Sequence, residues 1–181
     1  MLIGNSGGLK RAHRVFANWN GYVNSTTAMA KVNLYPDFKE LLKSLNSAKV
    51  EYLVLGGYAA IYYGYRRATD DLDIWIAVDP ENARKVSKVL TDFGGFPATK
   101  VKPSLLQTKG KVFIFGREPI RVDILTSPSG LDFESAYSRR KVVNWDGIKV
   151  SLISFEDLKT NKRASGRAKD IADLENLPPK K

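Results

Sequence analysis

Three aspartates are the residues in this sequence best placed to do chemistry. Asp71 and Asp73 stand two residues apart in the segment DLDIWIAV. Every second residue from Leu72 to Val78 is a large aliphatic one, and the two aspartates occupy the first of the intervening positions. A strand with this alternation carries both carboxylates on one face and the apolar side chains on the other. Burying two neighbouring carboxylates without compensation is costly. A bound cation is therefore the best candidate for offsetting that cost.

The third aspartate lies in a later segment of the same kind. In IRVDIL, the alternation places Arg121, Asp123 and Leu125 on one predicted strand face. Three carboxylates from two strands can hold Mg²⁺, a hard ion that prefers oxygen ligands. Two such ions about 3.5–4 Å apart can clamp the attacking and leaving oxygens of a phosphoryl displacement. The alternative is a strand end whose acids face water or pair with Arg66 and Arg67.

A pair of glycines precedes the first two aspartates. Gly56 and Gly57 stand between a predicted buried strand, EYLVL, and a predicted helix, YAAIYYGY. Glycines at such a junction let a ligand approach the backbone, and the N–H groups at a helix start favour phosphate. Taken alone, a glycine pair after a strand is more often just a tight turn.

Helix and strand signals cover most of the remaining chain. Apolar spacing and proline positions predict helices over 36–49 and 80–93, a short helix over 131–138, and two closing helices over 154–164 and 167–177. Predicted strands cover 111–116 and 120–125 as one antiparallel pair, and 141–145 and 148–152 as a hairpin around Asp146–Gly147. This order predicts a mixed α/β (α+β) domain, with a small mixed sheet flanked by helices.

The composition argues against a membrane-spanning protein and against sites built on cysteine or histidine. The chain has 181 residues, 43% of them hydrophobic, and no apolar run long enough to cross a bilayer, so no membrane partner is expected. It has no cysteine, which excludes disulfides, thiolate zinc sites and cysteine nucleophiles and fits a cytoplasmic protein. His13 is the single histidine, which argues against histidine-rich metal sites.

The charge balance favours an anionic partner. The net charge is +10, of which Lys10, Arg11 and Arg14 contribute three within residues 1–28, a stretch without acids. Such a surplus suits a nucleotide or a nucleic acid, although a basic, solvated surface is an equally good explanation on composition alone. The predicted organisation is a flexible N-terminal extension over 1–28, a domain over 29–177 and a short tail over 178–181.

These motifs together resemble a known signature. Gly56–Gly57 followed by Asp71-Leu72-Asp73-Ile74 is similar to the minimal nucleotidyltransferases of the DNA polymerase beta superfamily, in which a later strand supplies a third acid. Gly64, Arg67 and Thr69 stand where bacterial stand-alone members, including the AbiEii-type abortive-infection and toxin–antitoxin proteins, carry G-x-x-R-x-T. The ending NKRASGRAKDIADLENL is similar to that of the same small proteins.

The resemblance implies a polymerase-beta-like fold and transfer of a nucleoside monophosphate from a nucleoside triphosphate such as ATP. It implies that Asp71, Asp73 and Asp123 are the catalytic metal ligands for two Mg²⁺ ions, or Mn²⁺ in their place. The resemblance also implies the residues that bind the nucleotide. Gly56 and Gly57 would contact the phosphates, with Arg67 and Thr69 nearby. Lys162 would reach the triphosphate. The sequence departs from many polymerase-type members at Gly57, where they carry a serine.

The resemblance leaves the acceptor open. RNA or tRNA 3′ ends, a cognate antitoxin or toxin protein, and a small molecule of the aminoglycoside type all present hydroxyl groups. The positive charge of the basic loop Lys100–Lys111 favours RNA. The preference is slight, because the loop has few aromatic side chains for base stacking. A different class also stays open: a non-catalytic module that keeps the fold and binds nucleic acid or protein.

Overall fold

A computed structural model describes residues 32–94, 96–117 and 120–179 of the chain. The predicted flexible extension over 1–28 lies outside the described residues. Within them, every helix is too short or too polar to cross a membrane.

The chain alternates helices and strands. The helices are α1 (Pro36–Ser47), α2 (Gly56–Tyr62), α3 (Pro80–Phe93), α4 (Pro103–Leu106), α5 (Phe133–Ser138), α6 (Phe155–Ser165) and α7 (Ala168–Asn176). The strands are β1 (Tyr52–Val54), β2 (Asp71–Ile76), β3 (Val112–Arg117), β4 (Ile120–Leu125), β5 (Lys141–Trp145) and β6 (Ile148–Leu152).

The described strands form one sheet in the order β3-β4-β2-β1-β6-β5. The pairs β2–β4 and β1–β6 are parallel, while β1–β2, β3–β4 and β5–β6 are antiparallel. The predicted α/β fold with a small mixed sheet and flanking helices is confirmed. Sequence neighbours β3 and β4 form the expected antiparallel pair, and the parallel contact of β4 with β2 brings the third aspartate to the first two.

Local signals set most element boundaries. Asp79 accepts hydrogen bonds from the backbone N–H groups of Glu81 and Asn82, and Ser154 accepts one from Asp157, so both residues are helix N-caps. Gly166 adopts the left-handed conformation that ends α6, as its position between the two closing helices predicted. Asp146 and Gly147 both have positive φ, as their hairpin turn requires.

Two elements differ from the prediction. Helix α2 begins at Gly56 itself rather than after the glycine pair, and a short helix, α4, stands within the segment predicted as a basic loop. Pro103 starts α4, and the buried Leu106 fixes it to the core. The lysines of that segment, Lys100, Lys102, Lys109 and Lys111, remain exposed as expected.

The core fills the side of the sheet that carries no aspartate. Leu72, Ile74 and Ile76 of β2 are fully buried there, as is Ile124 of β4. Phe38, Leu41, Leu42 and Leu45 on one face of α1, together with the inner face of α3, join the same core. The strands that carry the acids are therefore held by apolar burial on one face. On the other face of β2, Trp75 is also buried, whereas Asp71 and Asp73 are only partly buried.

Candidate active site

The parallel pairing of β2 and β4 brings the three aspartates together. Asp73 is the direct neighbour of Asp123 across the two strands, and Asp71 is the neighbour of Arg121. One carboxylate oxygen from each of Asp71, Asp73 and Asp123 lies within 4.8 Å of the other two. We call these three residues the carboxylate triad. Its donors are all oxygens, which suits Mg²⁺ or Mn²⁺.

Arg121 lies between two members of the carboxylate triad. Its Nη2 donates to Asp71 Oδ2 at 2.8 Å, and its Nε donates to Asp123 Oδ1 at 2.9 Å. The alternative considered from sequence paired the acids with Arg66 or Arg67, whereas the structure uses an arginine from the partner strand. A guanidinium in this position shows that the triad attracts positive charge.

A single guanidinium does not balance three carboxylates. Burial raises the pKa of Asp73 to about 7, and repulsion from Asp71 and Asp123 adds to the effect. Burial also raises the pKa of Asp123, although its hydrogen bond from Arg121 acts in the opposite direction. In the absence of metal, the triad therefore tends to hold a proton near neutral pH.

Gly56 adjoins the triad directly. Its φ of +66° lies in the left-handed region, and a Cβ at this position would be 1.8 Å from Asp73 Oδ2. Both the backbone conformation and the close approach thus require glycine. The turn that begins α2 consequently brings bare backbone against a triad carboxylate.

Gly57 has a different neighbourhood. A Cβ on Gly57 would lie 2.2 Å from Thr69 Oγ1 and 2.9 Å from Arg67 Nη2, so a serine at this position would collide with both. Thr69 thus brings a hydroxyl to the place where a residue 57 side chain would project. The same hydroxyl donates to Asp71 Oδ1 at 2.9 Å and helps to orient that carboxylate.

A polar cavity of about 270 Å³ opens beside the triad. Its lining combines cationic and hydroxyl side chains with two acids: Arg67, Ala68, Thr69, Asp70, Asp71, Arg121 and Lys169. Seven of the eight predicted metal-binding and nucleotide-contacting residues therefore lie in one region: Asp71, Asp73, Asp123, Gly56, Gly57, Arg67 and Thr69. The cavity can accept an anionic ligand next to a cation held by the triad.

Lys162 is not brought to this cavity. Its side chain is 3% exposed, and its ammonium donates to Asp170 Oδ1 at 3.2 Å and to Asp173 Oδ2. Contact with a triphosphate would require breaking these buried ion pairs, which is expensive. The predicted contact of Lys162 with the nucleotide stays a prediction, and the described arrangement gives this lysine a different set of partners.

Sequence reasoning assigned no role to two cations of the site, Arg121 and Lys169. Arg121 was on the same predicted strand face as Asp123, so its spacing of two residues was a usable signal for contact. Lys169 had no comparable signal, because its helix reaches the cavity only through the packing of α7 on α6.

Solved structures share the fold. A nucleotidyltransferase from Thermotoga maritima aligns over 76% of this chain and 88% of its own, with 15% identity and a TM-score of 0.51. The lincosamide antibiotic adenylyltransferase LnuA, solved with lincomycin bound, aligns over 78% of this chain and 94% of its own, with 17% identity and a TM-score of 0.50. At these identities the likeness concerns the fold, which is that of the nucleotidyltransferases.

Sequence comparison gives the family. No curated protein matches the chain. The more specific resemblance to AbiEii-type proteins stays a prediction. A family model covers residues 32–177, which include the carboxylate triad, the glycine turn and both C-terminal helices. The chain belongs to the family described as "Nucleotidyltransferase of unknown function (DUF6036)".

Proposed function

We propose that this protein transfers a nucleoside monophosphate from a nucleoside triphosphate to an acceptor hydroxyl and releases pyrophosphate. The observation that carries the proposal is the carboxylate triad, with oxygens from two adjacent strands within 4.8 Å of one another, beside a cavity lined by cations. Phosphoryl transfer demands little covalent chemistry of a protein, so a site that positions groups and neutralises charge is sufficient.

The triad residues fit two divalent cations. Their donors are carboxylate oxygens, burial and repulsion from Asp71 and Asp123 raise the pKa of Asp73, and Arg121 already contacts two of the carboxylates as a cation. Asp71 and Asp73 would hold both ions, and Asp123 would share in holding one. When bound, Mg²⁺ or Mn²⁺ there neutralises the phosphates and aligns the attacking and leaving oxygens.

The chain's own residues supply the remaining functions. Gly56 and Gly57 let the phosphates approach the backbone, while Arg67 and Thr69 contact them from the cavity wall. The acceptor oxygen attacks the α-phosphorus, the bond to the pyrophosphate leaving group breaks, and Asp123 takes up the acceptor proton. A carboxylate placed next to the acceptor hydroxyl can accept that proton as a general base.

For the acceptor we propose an RNA or tRNA 3′ end, or a hydroxyl of a cognate partner protein, in a cytoplasmic toxin–antitoxin or phage-defence setting. Four exposed lysines support a polyanionic acceptor: Lys100, Lys102, Lys109 and Lys111. If they bind RNA, affinity falls steeply with salt, and replacing all four with glutamine flattens that dependence.

A second candidate is a small-molecule acceptor. Val112 and Ile114 of β3 are 55% and 57% exposed, and Ile114 is paired directly with Asp123 across the strands. An acceptor with an apolar surface could rest on these side chains with its hydroxyl toward Asp123. LnuA, which shares the fold, is an adenylyltransferase of a lincosamide antibiotic.

The decisive experiment determines which acceptor receives the nucleotide from a labelled nucleoside triphosphate. The pure protein is incubated with each α-labelled nucleoside triphosphate and Mg²⁺, in separate reactions with total RNA, cell lysate proteins and a panel of hydroxyl-bearing antibiotics. We expect pyrophosphate release and label on one acceptor class, with neither in the Asp73→Asn variant. If the folded wild type transfers no label to any acceptor, while Asp71→Ala, Asp73→Asn and Asp123→Asn keep its biological effect, the non-catalytic binding module is correct.

A further inference from the structure

The two C-terminal helices contain a buried ion cluster outside the carboxylate triad. Three cations and two carboxylates form it: Arg67, Lys162, Arg167, Asp170 and Asp173. Lys162, Asp170 and Asp173 are each only 2% exposed, although charged residues are almost never buried without partners. We call this group the C-terminal ion cluster. Its members other than Arg67 all come from α6, α7 and the turn between them.

The arrangement assigns each acid to defined cations. Lys162 bridges Asp170 and Asp173, and Arg167 Nε lies 2.6 Å from the other oxygen of Asp170. Burial alone would raise the pKa of Asp170, but hydrogen bonds from Arg167, Ser165 and Lys162 outweigh it and hold the pKa below its ordinary value. Both acids are thus buried beside cationic partners.

One member connects this cluster to the cavity. Arg67 Nε forms an ion pair with Asp173 Oδ1 at 3.2 Å, without the alignment of a hydrogen bond, while Arg67 itself lines the polar cavity. Its Nη2 lies 2.9 Å from the position of a Cβ on Gly57, so that end of the guanidinium is beside the glycine turn. The two ends of one planar group therefore contact a buried acid and the wall of the cavity.

An arginine without such an anchor samples many rotamers and loses entropy when it binds a ligand. A carboxylate on the Nε side of the guanidinium restricts that freedom. In this protein Arg67 Nη1 donates to the Ala68 carbonyl at 3.4 Å, so Nη2 is the nitrogen that lies beside the glycine turn. Asp173 is suited to this task because Lys162 fixes its second oxygen and it is 97% shielded from water. The same burial prevents it from binding the ligand itself.

We propose that Asp173 is a positioning residue, which holds the Arg67 guanidinium in place for the phosphates of the incoming nucleotide. Lys162 acts through Asp173, as the counter-ion that fixes this carboxylate. The identity of the ligand rests on the proposed function, whereas the coupling of Asp173 to Arg67 does not. This assignment gives the closing segment of the chain a role in nucleotide binding through Arg67.

The first test needs no activity. The Nε–H NMR signal of Arg67, assigned by its loss in Arg67→Gln, is compared between wild type and Asp173→Asn. We expect a shifted Nε–H signal in Asp173→Asn, because the buried charge that forms the ion pair with Arg67 is lost. Asp157→Asn is the matched control: Asp157 is also a buried carboxylate of this helical pair, but it pairs with Arg139 at 2.8 Å. An unchanged Arg67 signal in Asp173→Asn would overturn the proposal.

A second variant keeps the test decisive if Asp173→Asn fails to fold. Asp173→Asn leaves Lys162 with one carboxylate fewer, so the double variant Lys162→Met/Asp173→Asn is prepared in parallel. It removes one charge of each sign and leaves the Arg167–Asp170 pair intact. The expected change in the Arg67 signal is the same, and its absence in a folded double variant counts equally against the proposal.

The second test is a double-mutant cycle on nucleotide binding. We expect Asp173→Asn to raise KM for the nucleoside triphosphate about tenfold with kcat within about twofold, and to add less than about twofold when Arg67 is already glutamine. An equal effect in both backgrounds would overturn the proposal, because Asp173 would then act without Arg67. If the wild type neither turns over nor binds any nucleotide, the proposed function fails, while the NMR comparison still decides the pairing.

Discussion

The carboxylate triad and the C-terminal ion cluster both gather aspartates, but they balance the charge differently. In the triad, three carboxylates share one guanidinium, and burial together with repulsion raises the pKa of Asp73 to about 7. In the cluster, two carboxylates meet three cations, and the pKa of Asp170 is lowered despite its burial. An undercompensated group can gain a cation, whereas a compensated one serves to hold structure. The predictions below test this contrast.

The largest effect is expected from removing one triad charge. Asp73→Asn should reduce transfer at least about 1000-fold, because metal-based charge stabilisation contributes several kcal/mol to phosphoryl transfer. The free energy of unfolding of the metal-free protein should not fall, since the change removes repulsion. Label transfer and urea denaturation measure the two quantities.

Asp70→Asn is the matched control for this change. Asp70 is adjacent in sequence and lines the same cavity, but it is exposed and is not part of the triad. Its replacement should change transfer by only a few fold. Equal losses in both variants would mean that general negative charge, rather than the triad, matters.

The next effect concerns stability. Removing a charge from the triad should not destabilise the protein, whereas removing one from the C-terminal ion cluster should. Lys162→Met should lower the free energy of unfolding by about 3–5 kcal/mol, because it leaves two buried acids short of a cation. Lys159→Met, one turn earlier on α6 and paired with Glu156 at the surface, should cost less than about 1 kcal/mol. Urea denaturation gives both values. A Lys162→Met protein with wild-type stability and impaired nucleotide use would support the direct triphosphate contact predicted from the sequence.

A pH dependence follows from the raised pKa of Asp73. Below about pH 4, the carboxyl is protonated in both folded and unfolded protein, and Asp73→Asn should change stability little. As pH rises toward 7, the unfolded chain loses this proton more readily than the folded one, so the wild type loses stability relative to the variant. The difference should grow to on the order of 4 kcal/mol by pH 8, since a shift of about three pKa units corresponds to that free energy.

Mg²⁺ should remove that difference. A cation bound to the folded protein alone raises its stability, so thermal unfolding at pH 8 should shift upward with Mg²⁺ in the wild type. The shift should be much smaller in Asp73→Asn. A pH-independent difference that Mg²⁺ leaves unchanged would contradict the metal site.

The smallest effect is expected at Lys169, which lines the cavity and is exposed. Lys169→Gln should raise KM for the nucleoside triphosphate about three- to tenfold, because one charged contact with the ligand, screened by solvent, is lost. The free energy of unfolding should change by less than about 0.5 kcal/mol. Together with Lys162→Met, it separates a lysine that meets the ligand from one that holds the fold. A wild-type KM in Lys169→Gln would exclude Lys169 from nucleotide binding.

Local sequence patterns predicted the elements well because their causes are local. The alternation around Asp71 and Asp73 set a strand with two faces, and Ser154 and Gly166 marked the limits of α6. Asp146–Gly147 required a hairpin, which the structure confirms. Helix α4 was missed, because the burial of Leu106 that stabilises it depends on distant parts of the chain.

The sequence by itself determined the chemical type of the site. The spacing of Asp71 and Asp73, the glycine pair before them and the alternation around Asp123 all act over a few residues, so the strand faces and the turn follow directly. Only the tertiary structure decided which charges meet. The pairing of β4 with β2 placed Arg121 between the acids. The docking of α7 on α6 brought Asp173 into an ion pair with Arg67 and buried Lys162. Ion pairs between distant segments depend on strand order and helix packing, which no local pattern encodes.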